Sequence, residues 1–252
     1  MNKTALITGA TSGIGEATAH TLAKLGYNII ITGRRAEKLE QVKQEICAAY
    51  PVKVLALCFD VRVKEECCKA IASIPEEFSE ITVLFNNAGL AAGLEHIQDG
   101  DTDDWERMID TNIKGVLYMT RCVAPLMIKQ GKGHIINMGS IAGTEVYENG
   151  TVYCASKHAM NALSKGMRID MLSSGIKVSQ IRPGMVETEF SVVRFHGDQQ
   201  RADNVYKGVK PLTGADIASV VEWLVTLPEH VNINDVEIMP VQQADAFYTY
   251  RK

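Results

Sequence analysis

The sequence lacks long apolar runs and an excess of basic residues. Every apolar run falls short of the ~18–20 residues that cross a bilayer, so we expect no membrane-spanning segment. Lys and Arg number 26 against 30 Asp and Glu, which gives a net charge of −4 at pH 7. A general nucleic-acid binder needs basic residues to neutralise phosphates, so this balance argues against that class of protein. A small molecule is the expected partner.

Patterns of metal ligands and of structural disulfides are also missing. The chain has 252 residues, 46% of them hydrophobic, and is long enough to bury its own core without covalent cross-links. No cysteine or histidine has the paired spacing of a zinc site. We therefore expect no metal, and reduced, mostly buried thiols in a cytoplasmic protein. The residues in question are Cys47, Cys58, Cys67, Cys68, Cys122 and Cys154, and His20, His96, His134, His158, His196 and His230.

Short apolar runs alternate with helical patterns along the whole chain. Strands are predicted at 3–8, 28–32, 52–59, 82–85, 134–138, 177–181 and 236–239. Helices are predicted at 14–25, 36–50, 64–74, 103–129, 152–173 and 215–227. Continuous apolar strands separated by helices indicate a parallel sheet covered on both faces. The sequence thus predicts one α/β domain over residues 1–252, with a Rossmann-type, doubly wound sheet of about seven strands. The irregular stretch 184–213 is long for a connection, and we expect it to be a substrate-covering lid.

A glycine-rich loop joins the first strand to the first helix. Glycine at the first position permits a tight turn, at the second lets backbone approach a pyrophosphate, and at the third lets helix and sheet pack closely. The N–H groups at the start of the helix favour phosphate. The segment predicts a dinucleotide site formed by Gly9, Thr11, Ser12, Gly13, Ile14 and Gly15.

The next strand ends in Arg34 and Arg35, where NAD-binding proteins carry an acidic residue for the ribose 2′-hydroxyl. Guanidinium groups match a phosphate bidentately, so the pair favours the 2′-phosphate of NADP over NAD. Asp60, followed by Val61, ends the third strand and is a candidate acceptor for the adenine amine. The fourth strand ends in residues expected to line the ribose, namely Asn87, Ala88 and Gly89.

Tyr153 and Lys157 lie four residues apart in the predicted helix 152–173, so both side chains leave one face. The same spacing occurs at 206–210, against a proline, and at the chain end, 248–252; only the first lies in a strong helical pattern. A tyrosine of pKa ~10 is poorly matched to proton transfer at neutral pH. We expect the Lys157 ammonium to lower the pKa of the Tyr153 phenol, making it the proton shuttle. Ser140, after the fifth strand, can bond the substrate oxygen.

Together these residues resemble the short-chain dehydrogenase/reductase family along essentially the whole chain. The motifs are Thr8-Gly-x-x-x-Gly-Ile-Gly15, Asn86-Asn-Ala-Gly89, Asn112, Ser140, Tyr153-x-x-x-Lys157 and Pro183-Gly184, in that order. The resemblance implies hydride transfer between NAD(P)H and an alcohol or carbonyl, in a homodimer or homotetramer. It also implies a proton relay through Asn112, water and Lys157, and nicotinamide contacts from Val186 and Thr188. One departure is Ser12, where many NADP-dependent members carry a basic residue, so the NADP preference depends on Arg34 and Arg35.

Residues 187–195, 231–234 and 239–240 resemble the branch that oxidises serine and other 3-hydroxy acids with NADP. A carboxylate substrate needs a cation, and Arg194 is the candidate in the lid. Arg194 as a surface or intersubunit ion pair stays an alternative. So does an ordinary carbonyl, sugar or 3-oxoacyl reductase of the same family. A non-catalytic nucleotide-sensing protein is a further alternative, although it would be expected to lose Tyr153, Lys157 or Ser140.

Overall fold

Seven parallel strands form one sheet in the computed structural model, which describes residues 3–252. The sheet order is β3-β2-β1-β4-β5-β6-β7, and the chain reverses direction across the sheet between β1 and β4. The strands are β1 Thr4–Thr8, β2 Asn28–Gly33, β3 Val54–Cys58, β4 Ile81–Asn86, β5 His134–Met138, β6 Lys177–Pro183 and β7 Asp235–Ile238. The predicted doubly wound α/β architecture with seven parallel strands is confirmed.

The described residues form nine α-helices. They are α1 Gly13–Lys24, α2 Ala36–Ala49, α3 Lys64–Ala72, α4 Thr102–Ile109, α5 Val116–Gln130, α6 Thr151–Asp170, α7 Phe190–Arg194, α8 Gln199–Tyr206 and α9 Gly214–Thr226. Of these, α1, α2 and α9 pack on one face of the sheet and α3, α5 and α6 on the other. Two differences from the sequence-based prediction stand out. The helix expected over 103–129 is divided by a π-helical segment, Asp110–Gly115, and the stretch 184–213 contains the short helices α7 and α8. Apolar periodicity alone does not reveal a π-helical segment, because the residues on either side remain helical.

Alternating side chains of each central strand enter two separate apolar layers. Ile29 and Ile31 of β2 pack in the layer that includes α1, α2 and α9, whereas Ile30 packs in the layer that includes α3, α5 and α6. All three isoleucines are fully buried. Burying such a side chain contributes about 1.5–3 kcal/mol, so two covered faces explain why these strands are continuously apolar.

The expectation of mostly buried thiols is wrong. Only Cys67 and Cys154 are buried; Cys122 is half-buried, and the others, Cys47, Cys58 and Cys68, are exposed. Cys47 and Cys68 lie on helices and Cys58 ends β3, the edge strand of the sheet. A residue's position on its element decides its exposure, which composition does not report.

Among residues 3–252, no helix has both the length and the apolar character needed to cross a membrane.

Candidate active site

A cavity of about 620 Å³ opens at the carboxyl ends of the strands, beside the switch between β1 and β4. In doubly wound sheets this crevice is the usual ligand site, because loops from both halves of the sheet diverge there. Almost all of the residues predicted for the site line the cavity. The exceptions are Gly15 and Asn112, which lie behind its wall. The lining includes Gly9, Thr11, Ser12, Gly13, Ile14, Arg34, Arg35, Asp60, Val61, Asn87, Ala88, Gly89, Ser140, Tyr153, Lys157, Val186, Thr188 and Arg194.

The glycine loop is shaped by contacts that leave no room for side chains. Gly9 has φ +66°, and a Cβ there would lie 2.9 Å from Cα of Ala88. A Cβ at Gly13, φ +59°, would meet the Thr188 side chain at 2.9 Å, and one at Gly15 would collide with the Gly9 carbonyl. The three glycines therefore meet the steric requirements expected from their spacing, and the loop lies close to both Ala88 and Thr188.

Side chains from β1 and β4 hold the loop in place. The Asn87 amide donates to the carbonyls of Thr8 (2.9 Å) and Gly9 (3.1 Å). In return, the Thr8 hydroxyl accepts from the backbone N–H groups of Asn87 and Ala88, both at 3.0 Å. These bonds fix the loop against the end of β4 and leave the N-terminus of α1 directed toward the cavity, as a phosphate site requires.

Basic side chains surround one end of the cavity. Arg35 donates to the hydroxyls of Thr11 (2.7 Å) and Ser12 (3.0 Å) and pairs with Glu189 at 2.8 Å. The Arg34 guanidinium lies 3.8 Å from the Asp60 carboxylate. These two cations and the Ser12 hydroxyl can together hold a phosphate. Because Glu189 belongs to the stretch 184–213, its ion pair with Arg35 links that stretch to the glycine loop.

Asp60 is held by Arg62, a partner that the sequence reasoning did not consider. The two side chains form an ion pair with an N–O distance of 2.6 Å. Burial raises the pKa of Asp60, but the hydrogen bonds and charge of Arg62 outweigh it and lower that pKa overall. The carboxylate is therefore ionised and able to accept hydrogen bonds at neutral pH, and its role toward adenine stays a prediction.

Tyr153, Ser140 and Lys157 come together at the other end of the cavity. The Ser140 hydroxyl accepts from the Ala142 N–H at 3.1 Å, capping a short 3₁₀ turn, and lines the cavity together with Tyr153. The Lys157 ammonium donates to the Met138 carbonyl at 2.9 Å and lies 5.8 Å from the centre of the Tyr153 ring. Because α6 presents tyrosine and lysine on one face, both reach the cavity.

The expected electrostatic effect of Lys157 on Tyr153 is not what the structure shows. Burial raises the pKa of the Tyr153 phenol, and the nearby Tyr147 raises it further; Arg194 and Ser140 only partly oppose this. Burial also lowers the pKa of Lys157 to about 8. Desolvation of both groups opposes the Coulomb attraction between them, and here desolvation is the larger effect. The phenol is therefore protonated at neutral pH.

Arg194 extends from α7 into the cavity among aromatic rings. Its guanidinium lies 5.0 Å from the centre of the Tyr153 ring and 5.2 Å from that of Phe190. It donates to the Tyr147 hydroxyl at 2.9 Å, while its Nε is buried with no hydrogen-bond partner in the described part of the chain. Arg194 lines the cavity, and the permanent charge and several N–H donors of its guanidinium suit an anionic ligand.

Asn112 lies in the π-helical segment between α4 and α5. Its amide accepts from the Leu90 N–H at 2.9 Å and donates to the Leu90 carbonyl at 2.8 Å and to Ser156 Oγ at 3.0 Å. The side chain thus secures the loop after β4 to α6, just behind Gly89 and Lys157. The relay through Asn112 stays a prediction.

Several residues at the cavity were missed by sequence reasoning. Tyr147 comes from the loop before α6, and Gln243 comes from the segment after β7, where its side chain accepts from the Met185 N–H at 2.8 Å. Neither position carries a spacing that marks it in the sequence.

The structure also groups Glu16, His20 and Glu45, whose ligand atoms all lie within 4.8 Å of one another. The histidine spacing did not indicate this group, because Glu45 comes from a different helix; the prediction of no metal stays untested.

Comparison with known proteins gives consistent matches. A model of the short chain dehydrogenase family matches residues 3–199. The NADP-dependent 3-hydroxy acid dehydrogenase of Schizosaccharomyces pombe is 45% identical over 251 residues, which cover 99% of this chain and 97% of that protein. The sulfoacetaldehyde reductase of Chromohalobacter salexigens is 44% identical, covering 97% and 96%. A solved structure of serine dehydrogenase with NADP⁺, in its closed form, is 42% identical, with a TM-score of 0.92 and full coverage of both chains.

Proposed function

The chain belongs to the short-chain dehydrogenase family, and from this membership we propose that it oxidises small 3-hydroxy acids such as serine with NADP⁺. Its reaction class is that of a dehydrogenase/reductase acting on hydroxyl and carbonyl groups. The presence of Ser140, Tyr153 and Lys157, which all line the cavity, argues against the non-catalytic alternative. The observation that carries the substrate proposal is Arg194, which lines the cavity with its guanidinium 5.0 Å from the centre of the Tyr153 ring.

The residues of the cavity fit a nicotinamide dinucleotide phosphate. The glycine loop packs so closely on Ala88 and Thr188 that a Cβ at Gly9 or Gly13 would collide, and the first residues of α1 line the cavity. We propose that the loop holds the pyrophosphate, that Arg34 and Arg35 hold the 2′-phosphate, and that Val186 and Thr188 contact the nicotinamide. A bound nicotinamide supplies or accepts the hydride. The NADP preference is also supported by the names of the relatives.

We propose that Ser140 and Tyr153 orient the substrate oxygen between them. Because its pKa is raised, the Tyr153 phenol holds its proton at neutral pH and can donate it to a carbonyl oxygen during reduction. Oxidation runs in the opposite sense and needs the phenolate form of Tyr153 to accept a proton, so this direction is favoured at higher pH. Lys157, with a pKa of about 8, is mostly cationic at neutral pH and lies 5.8 Å from the centre of the Tyr153 ring.

A sulfonate substrate is the second candidate. The relative named sulfoacetaldehyde reductase is 44% identical to this chain, and a sulfonate, like a carboxylate, presents anionic oxygens to a guanidinium. Both substrates are small, and in both a single carbon separates the anionic group from the reacting carbon. The Arg194 site accounts for either, whereas an ordinary sugar or 3-oxoacyl reductase gives Arg194 no anion close to the reacting carbon.

Steady-state kinetics tests the proposal directly. L-Serine, 3-hydroxypropionate and simple uncharged alcohols are oxidised with NADP⁺ and with NAD⁺ in parallel, and sulfoacetaldehyde is reduced with NADPH. We expect the highest kcat/KM for a 3-hydroxy acid with NADP⁺. A preference for uncharged alcohols would refute the substrate proposal, and equal use of NAD⁺ would refute the role of the arginines.

We propose a homodimer or homotetramer, because large apolar side chains are exposed on α9 and the C-terminal segment, including Trp223 (47% exposed) and Phe247 (62%). Size-exclusion chromatography with light scattering tests this, and a monomer at micromolar concentration contradicts it.

We further propose a cytoplasmic location. We also propose that the protein is a single catalytic domain in which residues 184–213 form the substrate lid.

A further inference from the structure

We propose that Cys68 and Cys122 form an oxidisable dithiol that closes to an intramolecular disulfide between α3 and α5. The two Sγ atoms lie 2.9 Å apart, and the helices that carry them pack against each other. A disulfide bond is about 2.05 Å long, so the two sulfurs need to approach by less than ~1 Å. The residues are 54 positions apart in sequence, so only the packing of α3 on α5 brings them together.

The surroundings of the two thiols fix the order of the chemistry. Cys68 is exposed on α3 and meets an oxidant in solvent first, whereas Cys122 is half-buried. Burial and the hydrogen bond with Cys68 raise the pKa of Cys122 to about 12, so this thiol stays protonated at neutral pH. A thiolate is the reactive form toward peroxides, which makes Cys68 the attacking residue and Cys122 the resolving one.

The oxidant we propose is a hydroperoxide, of which hydrogen peroxide is the simplest. The Cys68 thiolate attacks one peroxide oxygen, the O–O bond breaks, and with one proton the products are Cys68 sulfenic acid and water. The Cys122 sulfur then attacks the sulfenic sulfur, and its proton leaves with the hydroxyl group as a second water. In sum, two thiols lose two electrons and two protons, and one hydrogen peroxide becomes two waters. A dithiol reductant reverses the bond by exchange.

The other four cysteines lack this arrangement. Cys67, next to Cys68, is buried, and its Sγ lies 3.4 Å from the Val61 carbonyl. Cys154 is also buried, while Cys47 and Cys58 are exposed; none of them makes a thiol–thiol contact like that of Cys68 and Cys122 among residues 3–252. Neither Cys68 nor Cys122 lines the active-site cavity. The proposal therefore stands independently of the substrate and of the cofactor.

The disulfide would join two segments that begin at the cavity wall. α3 follows Asp60 and Val61, and α5 follows the π-helical segment of Asn112. A cross-link between residues so distant in sequence reduces the freedom of the unfolded chain, so we expect oxidation to raise the thermal unfolding temperature by several degrees. Reduction should return it to the original value.

The experiment treats the full-length protein with hydrogen peroxide, blocks remaining thiols with N-ethylmaleimide and digests it with trypsin without reduction. We expect residues 65–69 and 122–129 to be recovered as one cross-linked peptide pair, lighter by two hydrogen atoms than the separate peptides, and to separate after dithiothreitol. Cys68→Ser and Cys122→Ser should each abolish the pair and the shift in unfolding temperature. Cys47→Ser, which replaces an exposed helical thiol elsewhere, should change neither.

Four results would overturn the proposal. One is a disulfide confined to peptide 65–69, which would join Cys67 to Cys68. Another is a cross-link that persists in Cys68→Ser, and a third is a dimer on a non-reducing gel that accounts for the oxidised cysteine. The fourth is full alkylation of Cys68 after peroxide treatment. If the cross-link forms but the unfolding temperature does not rise, the proposed stabilisation of α3 on α5 is wrong.

Discussion

Replacing Arg194 with methionine tests the proposed substrate class most sharply. Methionine keeps an unbranched apolar chain of similar reach among the Tyr147, Tyr153 and Phe190 rings, so the wall of the cavity stays filled. What is lost is a cation that bonds Tyr147 at 2.9 Å and has an unpaired buried Nε. The variant thus separates the charge of Arg194 from its packing.

The magnitude follows from the bonds that a carboxylate would make. A hydrogen bond to a charged group contributes about 1.5–3 kcal/mol, and the guanidinium can offer one or two to a substrate carboxylate. Because Arg194 is only partly buried, we expect a net loss of about 2–4 kcal/mol. At about 1.36 kcal/mol for each factor of ten, kcat/KM for the 3-hydroxy acid should fall roughly 30- to 1000-fold.

The assay compares 3-hydroxypropionate with its uncharged methyl ester in both proteins. The ester reports the second effect of Arg194, which lowers the pKa of Tyr153, because proton transfer at the phenol is common to both substrates. Only the additional loss with the free acid measures carboxylate binding. Arg194→Lys keeps the charge without the planar fork and should give an intermediate loss with the acid. Equal losses with acid and ester would refute the carboxylate role and favour a structural ion pair.

Three further predictions concern the other end of the cavity, the proton shuttle and the core. Arg34→Ala combined with Arg35→Ala should raise KM for NADP⁺ about 10- to 100-fold, a range that allows for the exposure of both side chains. The KM for NAD⁺ should stay nearly unchanged. Parallel increases in both KM values would contradict binding of the 2′-phosphate. Tyr153→Phe should lower kcat by about 10²–10⁴ while NADPH still binds, as measured by its fluorescence; retained turnover would exclude the phenol as proton donor. Burial lowers the pKa of His134 to about 3, whereas in the unfolded chain it is about 6.5. Between these two pH values the unfolded chain binds more protons than the folded one, so the free energy of unfolding falls as the pH falls. From pH 6.5 to 5 the loss should reach about 2 kcal/mol in urea unfolding; His134→Asn should not show this part of the pH dependence, and identical slopes in the two proteins would contradict the buried neutral imidazole.

The alternation of apolar strands and amphipathic helices predicted the sheet and most of the helices correctly. This succeeds because a strand covered on both faces must be apolar throughout, as at Ile29–Ile31, and because a helix between parallel strands needs one apolar face. The division of the helix after residue 102 at Asp110–Gly115 was missed, since a π-helical segment changes the backbone hydrogen bonds but hardly changes the apolar pattern.

The sequence by itself determined the positions of the reactive side chains, because glycine turns, strand ends and the four-residue spacing of Tyr153 and Lys157 are local features. Tertiary structure alone decided the environment of those side chains. Desolvation of Tyr153 and Lys157 reverses the expected shift in the phenol's pKa, and burial depends on contacts with segments far away in sequence. The pairing of Arg194 with Tyr147 and the contact between Cys68 and Cys122 are equally non-local. Only the packing of distant elements brings these groups within a few ångströms of one another, and no spacing along the chain encodes that proximity.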